Sequence, residues 1–217
     1  MAGISRRAWL GRTAAVALSM TCLREALAAG AVEKGVSRVR GDVRINNKPA
    51  KQGMQAKPGD VITTGRDAEL VVVVGRDAFL VRAETQIELA GDATRLVVSA
   101  LRVVTGALLS VFAPGERKRI QTPTATIGIR GTGIYVAVEA MRSYICTCYG
   151  EAELVPADDP QQAEMVRTTH HDQPRYVYRK GMPHMIERAP VINHTDAELV
   201  LLESLVGRKV PFDPALY

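Results

Sequence analysis

Apolar and polar residues alternate in short runs along most of the chain, and turn residues cut the runs at roughly 8–12 residue intervals, the rhythm of an all-β fold. Gln86-Ile87-Glu88-Leu89 alternates as a half-exposed strand should. Val71 to Val74 is an unbroken β-branched run, which predicts a strand buried on both faces. Gly41 to Ile45 runs into Asn46-Asn47, and Val61 to Thr64 follows Lys57-Pro58-Gly59-Asp60; both punctuations are turn chemistry. Leu101 to Val111 continues the pattern around Gly106. Tyr135 to Val138 and Ser143 to Tyr149 read as further strands, the second closed by Gly150-Glu151. Thr64-Gly-Arg-Asp-Ala-Glu-Leu70 is echoed by Val74-Gly-Arg-Asp-Ala-Phe-Leu80, a short internal repeat that a solenoid or a meander explains equally well. The fold class expected is all-β, with stacked short hairpins forming a sandwich or short β-solenoid and one C-terminal α-helix.

The pattern changes after Val155. Pro156 to Gln162 is polar and turn-rich, and Met165 to Lys180 reads as a hairpin around Asp172-Gln173-Pro174. Thr195-Asp-Ala-Glu198 is a capping box. It opens a helix to about Val206, with Leu199, Leu202 and Val206 on one face and Gly207 as the stop. Such a stripe packs a helix onto a sheet. The expected organisation is a leader over 1–28, an all-β domain over 36–155, and a hairpin plus helix over 156–217 packed on it.

The leader has a basic start, a mild apolar middle from Thr13 to Leu23 and a small-residue exit at Ala26, Ala28 and Ala29. Ser5, Arg6, Arg7, Trp9 and Leu10 resemble the bacterial twin-arginine signal, with Trp9 in place of the usual Phe. Cleavage near Ala28 places the mature chain in the periplasm. The net charge of the whole sequence is +5, and the leader holds four arginines against one glutamate, which leaves +2. That balance makes no case for nucleic-acid binding. No run approaches the roughly 20 apolar residues of a spanning helix, so no transmembrane helix is expected in the mature protein. Three cysteines are too few for a disulfide scaffold.

Gly59-Asp-Val-Ile-Thr-Thr-Gly65, Gly75-Arg-Asp-Ala-Phe-Leu80 with Thr85 following, and Thr105-Gly-Ala-Leu-Leu109 recur in a known order. The most specific stretch is Thr122-Pro123-Thr-Ala-Thr-Ile-Gly-Ile-Arg130-Gly131-Thr132-Gly133, ending in Tyr149-Gly150-Glu151. Over Gly41 to Val155 the chain resembles the FecR-type periplasmic domain. The resemblance implies stacked short hairpins and a binding or signalling module with a periplasmic or envelope protein partner, not a catalyst. Thr122, Pro123, Arg130, Gly131, Thr132 and Gly150 are structural on that reading. The best-known members carry a cytoplasmic anti-sigma segment and a transmembrane helix before this domain; a leader stands there here, which argues against direct sigma-factor control.

No catalytic motif stands out, and Gly128-Ile-Arg-Gly-Thr-Gly133 lacks the helix that a phosphate cradle needs. Cys146-Thr-Cys148 is the constellation with chemistry. In a strand, residues i and i+2 share a face with Cα atoms about 6.6 Å apart. Parallel side-chain vectors at that spacing disfavour a disulfide between them. Two thiolates on one face suit zinc or another thiophilic metal. His170 and His171 supply the nearest candidate ligands; being adjacent, only one of them can point to the cysteine face of an extended segment. His184 and His194 could add more. Buried core cysteines and a strained redox pair remain as alternatives. Arg117-Lys118-Arg119 reads as a solvated basic turn. Three functions follow: a non-enzymatic binding or sensing module, a metal-binding periplasmic protein, and a metal- or thiol-dependent enzyme.

Overall fold

The computed structural model describes residues 34–216. The expected leader, with Ser5, Arg6, Arg7, Trp9, Leu10 and the alanines Ala26, Ala28 and Ala29, lies outside the described residues. Fifteen strands follow along the described chain: β1 (Gly35–Arg40), β2 (Val43–Ile45), β3 (Lys48–Pro49), β4 (Val61–Thr64), β5 (Glu69–Val74), β6 (Asp77–Val81), β7 (Gln86–Asp92), β8 (Val97–Val111), β9 (Arg117–Gln121), β10 (Ala125–Arg130), β11 (Gly133–Val138), β12 (Arg142–Pro156), β13 (Glu164–Thr168), β14 (Arg175–Tyr178) and β15 (Ile186–Arg188). One α-helix, α1 (Asp196–Leu205), comes near the C-terminus. Among the described residues no helix is long and apolar enough to cross a membrane.

The strands form two sheets that share β8 and β12. One sheet runs β1-β5-β6-β8-β11-β12-β14-β15; the other runs β3-β2-β4-β7-β8-β9-β10-β12-β13. Every pairing is antiparallel except β8 with β9, where Ala100 to Arg102 lie beside Arg119 to Gln121. The shared strands change sheets at glycines. Gly106 has φ +76°, and a side chain there would collide with Thr85, whose hydroxyl accepts the Ala107 N–H at 2.9 Å. Gly150 has φ +93° and lies against the Gly131-Thr132 turn, where an added Cβ would come within 3.1 Å of Gly131 O. Positive φ is cheap only for glycine.

Leu70, Val72, Val74, Phe79 and Val81 of the first sheet pack against Ile62, Ile87, Leu101, Val103, Ile120 and Ile127 of the second, making one core between the layers. The alternate residues Val71, Val73, Leu80 and Leu109 form a second apolar face, covered by Leu199 and Leu202 of α1 and by the segment leading to Phe212. The Val71–Val74 run is therefore buried on both sides, as its composition predicts. The α1 capping box also forms: the Thr195 hydroxyl accepts from Glu198 N, and the Glu198 carboxylate accepts from Thr195 N at 3.0 Å.

Four expectations change. The Gly-Arg-Asp-Ala echo is not a solenoid repeat: its first copy is an exposed turn with Asp67 at φ +56°, while its second turns β5 into β6 and buries Asp77. The basic cluster is a strand, not a solvated turn. Lys118 is 6% exposed and donates to Asp77 Oδ2 at 2.9 Å and to Val98 O at 2.7 Å, leaving Arg117 and Arg119 outside. β12 does not stop at Gly150 but bends there and continues to Pro156. Finally, β13 and β14 do not form a hairpin. Both pair with β12, one in each sheet and in series along the same edge, because the chain after β13 follows the Gly150 bend of β12 instead of reversing on itself.

Candidate metal site

β12 carries Cys146 and Cys148 on the outer face of the first sheet while Ile145 points into the core between the sheets. Both thiols are free and buried. Beside Cys146 lies Tyr135 of β11, its register partner. After β13 the chain extends its ladder with β12 by one bond, His171 N–H to Cys148 O at 2.9 Å, then turns with His171 at φ +49°. That turn sends the His171 ring across Cys146. The segment before α1 supplies His194, whose ring stacks on Tyr135 at 4.7 Å and 12°.

Four buried donors converge here: the sulfurs of Cys146 and Cys148 and one ring nitrogen each of His171 and His194, all within 4.8 Å of one another. His171 Nδ1 is 3.5 Å from Cys146 Sγ and 2.9 Å from His194 Nε2. The outer nitrogens are tied. His171 Nε2 donates to Asp196 Oδ1 at 2.9 Å, and His194 Nδ1 donates to Ile192 O at 2.7 Å. A carbonyl can only accept. The Asp196 carboxyl is also an acceptor: burial, the largest influence, pushes its pKa up, but hydrogen bonds from His170 and His171 outweigh that and hold it below the ordinary value. In neutral rings both protons are thus on the outside, and two bare lone pairs face each other at 2.9 Å. Two acceptors at that separation need a positive charge between or beside them.

The thiols are split in the same sense. A hydrogen bond from Cys148, then from His171 and His194, pulls Cys146 down to about 4 against its burial. Burial, then the Cys146 sulfur, pushes Cys148 well up. For His171 burial is again the largest influence and lowers the pKa, but Cys146 and Asp196 together raise it. Without a metal the pocket therefore favours a proton on His171 beside a Cys146 thiolate. A divalent cation would replace that proton and the Cys148 proton, leaving two thiolates, two neutral imidazoles and no net charge, which suits a buried site.

Of the residues singled out in the sequence, Cys146, Cys148 and His171 meet. His170 does not join them: its Nε2 donates to Asp196 at 2.9 Å and its ring packs on Phe212 at 4.6 Å. Only one of the adjacent pair reaches the cysteines, but the turn at His171 and not strand alternation selects it, since both rings bond the same Asp196 carboxylate. His184 is exposed elsewhere. His194 completes the set, and Asp196 is the outer partner that orients His171. No local spacing marks His194, which follows Cys148 by 46 residues in an irregular segment. The motif residues act in the fold instead. Thr122 Oγ1 accepts from Ala125 N at 3.0 Å and Thr132 Oγ1 donates to Glu151 O at 3.0 Å. Pro123 sits in the same bend as Thr122, and Arg130 is exposed at the end of β10.

Two sheets sharing two bent strands, with a two-cysteine, two-histidine cluster under a helical cap, define a β-fold with a metal-competent donor set. No protein-family model matches the chain, and no curated protein matches it. Two crystal structures of a candidate anti-sigma factor from Parabacteroides distasonis ATCC 8503, at 1.65 and 2.50 Å resolution, resemble it with TM-score 0.47 and 14% identity. Each match covers 59% of this chain and 58% of that one, so the chain spans under two thirds of the length of these structures.

Proposed function

We propose that this protein is an exported, non-catalytic β-module of the FecR-like type that holds one zinc-class ion in Cys146, Cys148, His171 and His194. The observation that carries the metal reading is the pair of histidines whose outer nitrogens are tied to acceptors, so that their inner nitrogens face one another at 2.9 Å beside two sulfurs. A donor set of two sulfurs and two imidazole nitrogens suits zinc. Four protein donors fill that shell and keep no position for a reacting water, which supports a holding role over a hydrolytic one. Export to the periplasm rests on Arg6-Arg7 and the exit at Ala28; the twin-arginine route carries folded proteins, which suits a site filled while its thiols are reduced. The binding or sensing role toward an envelope protein rests on the motif resemblance over Gly41 to Val155.

The test is metal content and free-thiol count on protein isolated from the periplasm. One equivalent of zinc is expected, lost in Cys146→Ser/Cys148→Ser. Cobalt substitution should give the intense visible bands of a tetrahedral thiolate site. Metal-free protein that takes up neither ion would sink the reading.

A further inference from the structure

The four donors come from two parts of the chain that are far apart in sequence. Cys146, Cys148 and His171 belong to β12 and the ladder beside it, while His194 belongs to the segment that leads into α1. Asp196, which holds the His171 ring, is the first residue of α1 itself. An ion in this site would therefore bond the sheet to its cap. The rest of the cap is lightly built. α1 has 10 residues, short of the length at which a helix is stable alone. Only Leu199 and Leu202 of its apolar side chains are fully buried. At its far end Glu203 is held by Tyr149 and by Arg208, whose Nε donates at 2.6 Å. At its near side Arg82 donates to Glu198 at 2.7 Å and to Asn193 O at 3.0 Å, and Tyr144 bridges Pro190 O and Ile192 N. Beneath it lies an apolar face of Val71, Val73, Leu80 and Leu109.

With the ion in place the near end of the cap is bonded and neutral. Without it, His194 and the start of α1 keep only hydrogen bonds and apolar contacts to the first sheet. Resting on the metal reading above, we propose that the ion is a latch: its occupancy sets whether residues 189–212 stay docked on the first sheet or lift from it. Linkage then makes the effect reciprocal, because docking must tighten the ion by the factor by which the ion tightens docking.

The experiment starts from zinc-loaded full chain and follows amide exchange before and after a chelator strips the zinc. Exchange is expected to speed up in α1 and at Ile192, by a factor within the roughly 5–150-fold range of ordinary couplings, while β7 and β8 keep their protection. In parallel, Leu202→Ala and the milder Tyr149→Phe loosen the cap without touching a ligand, and both should weaken zinc binding in a competition titration. Zinc loss that leaves α1 protected, with both variants binding zinc as wild type does, overturns the latch and leaves the metal site standing. Zinc loss that strips protection from β7 and β8 as well also overturns it, since the ion would then hold the whole fold. Failure of the wild type to bind zinc at all overturns the metal reading itself.

Discussion

Asp196 divides one carboxylate between two imidazoles, His171 on Oδ1 and His170 on Oδ2, and sits in the first turn of α1 where the helix dipole favours its charge. This placement separates two adjacent histidines by role. His171→Ala and His194→Ala should abolish stoichiometric zinc, whereas His170→Ala should keep it. Asp196→Asn should keep the ion but weaken it about 10–100-fold, because the ring it orients remains a ligand with a poorer partner; titration against a chromophoric chelator reads both. A second residue-scale case is Lys118, buried against Asp77 and Val98 O. Lys118→Met leaves a buried carboxylate without its counter-charge and should cost about 3–5 kcal/mol in urea unfolding. Adding Asp77→Asn should recover part of that loss. At this scale the sequence was half legible. The shared face of Cys146 and Cys148 follows from strand periodicity, whereas the choice of His171 over His170 comes from a left-handed turn that the sequence does not announce. His194 and Asp196 reach the site through the packing of α1, which no spacing encodes, and Lys118 owes its burial to a partner 41 residues away.

Elements followed local chemistry where local chemistry decides. The Asn46-Asn47 turn, with φ +50° and +63°, the buried β5 run and the Thr195 capping box all form as their residues dictate. The length of β12 and the partners of β13 and β14 were hidden, because one glycine chooses between ending a strand and bending it. Gly150→Val tests the bend: a branched side chain at φ +93° against Gly131 O should cost about 1–3 kcal/mol, read as a lower urea midpoint with an unchanged slope. The cap makes a further element-scale prediction. Tyr135, Tyr144 and Tyr149 all lie under it, and burial is the first cause that raises each of their pKa values; a carboxylate adds to it for Tyr149 and Tyr135, and Cys146 for Tyr144. A raised folded value means the stability they contribute is intact below the ordinary tyrosine value of about 10 and is lost as the pH climbs past it. Tyrosinate absorbance from these three should therefore appear late and together with loss of the cap. Smooth titration of all tyrosines near pH 10 would contradict their burial.

On the scale of the whole molecule, sharing β8 and β12 ties the two sheets together through the backbone of two continuous strands. With zinc bound, far-UV dichroism and near-UV tyrosine dichroism should lose signal at one common urea midpoint. After zinc is stripped, the near-UV signal, which reports mainly on the tyrosines under the cap, should fall first. The same sharing bears on how the chain is made. Five strands, β10, β11, β12, β13 and β14, meet at or around β12, four of them as its partners, so neither sheet can close while residues 142–156 are still inside the ribosome. Until then β10 and β11 each lack their partner on one edge, and such unpaired edges are the state in which a nascent chain is most exposed to aggregation and most in need of a chaperone. Synthesis, and not folding speed, would then set how long that exposure lasts.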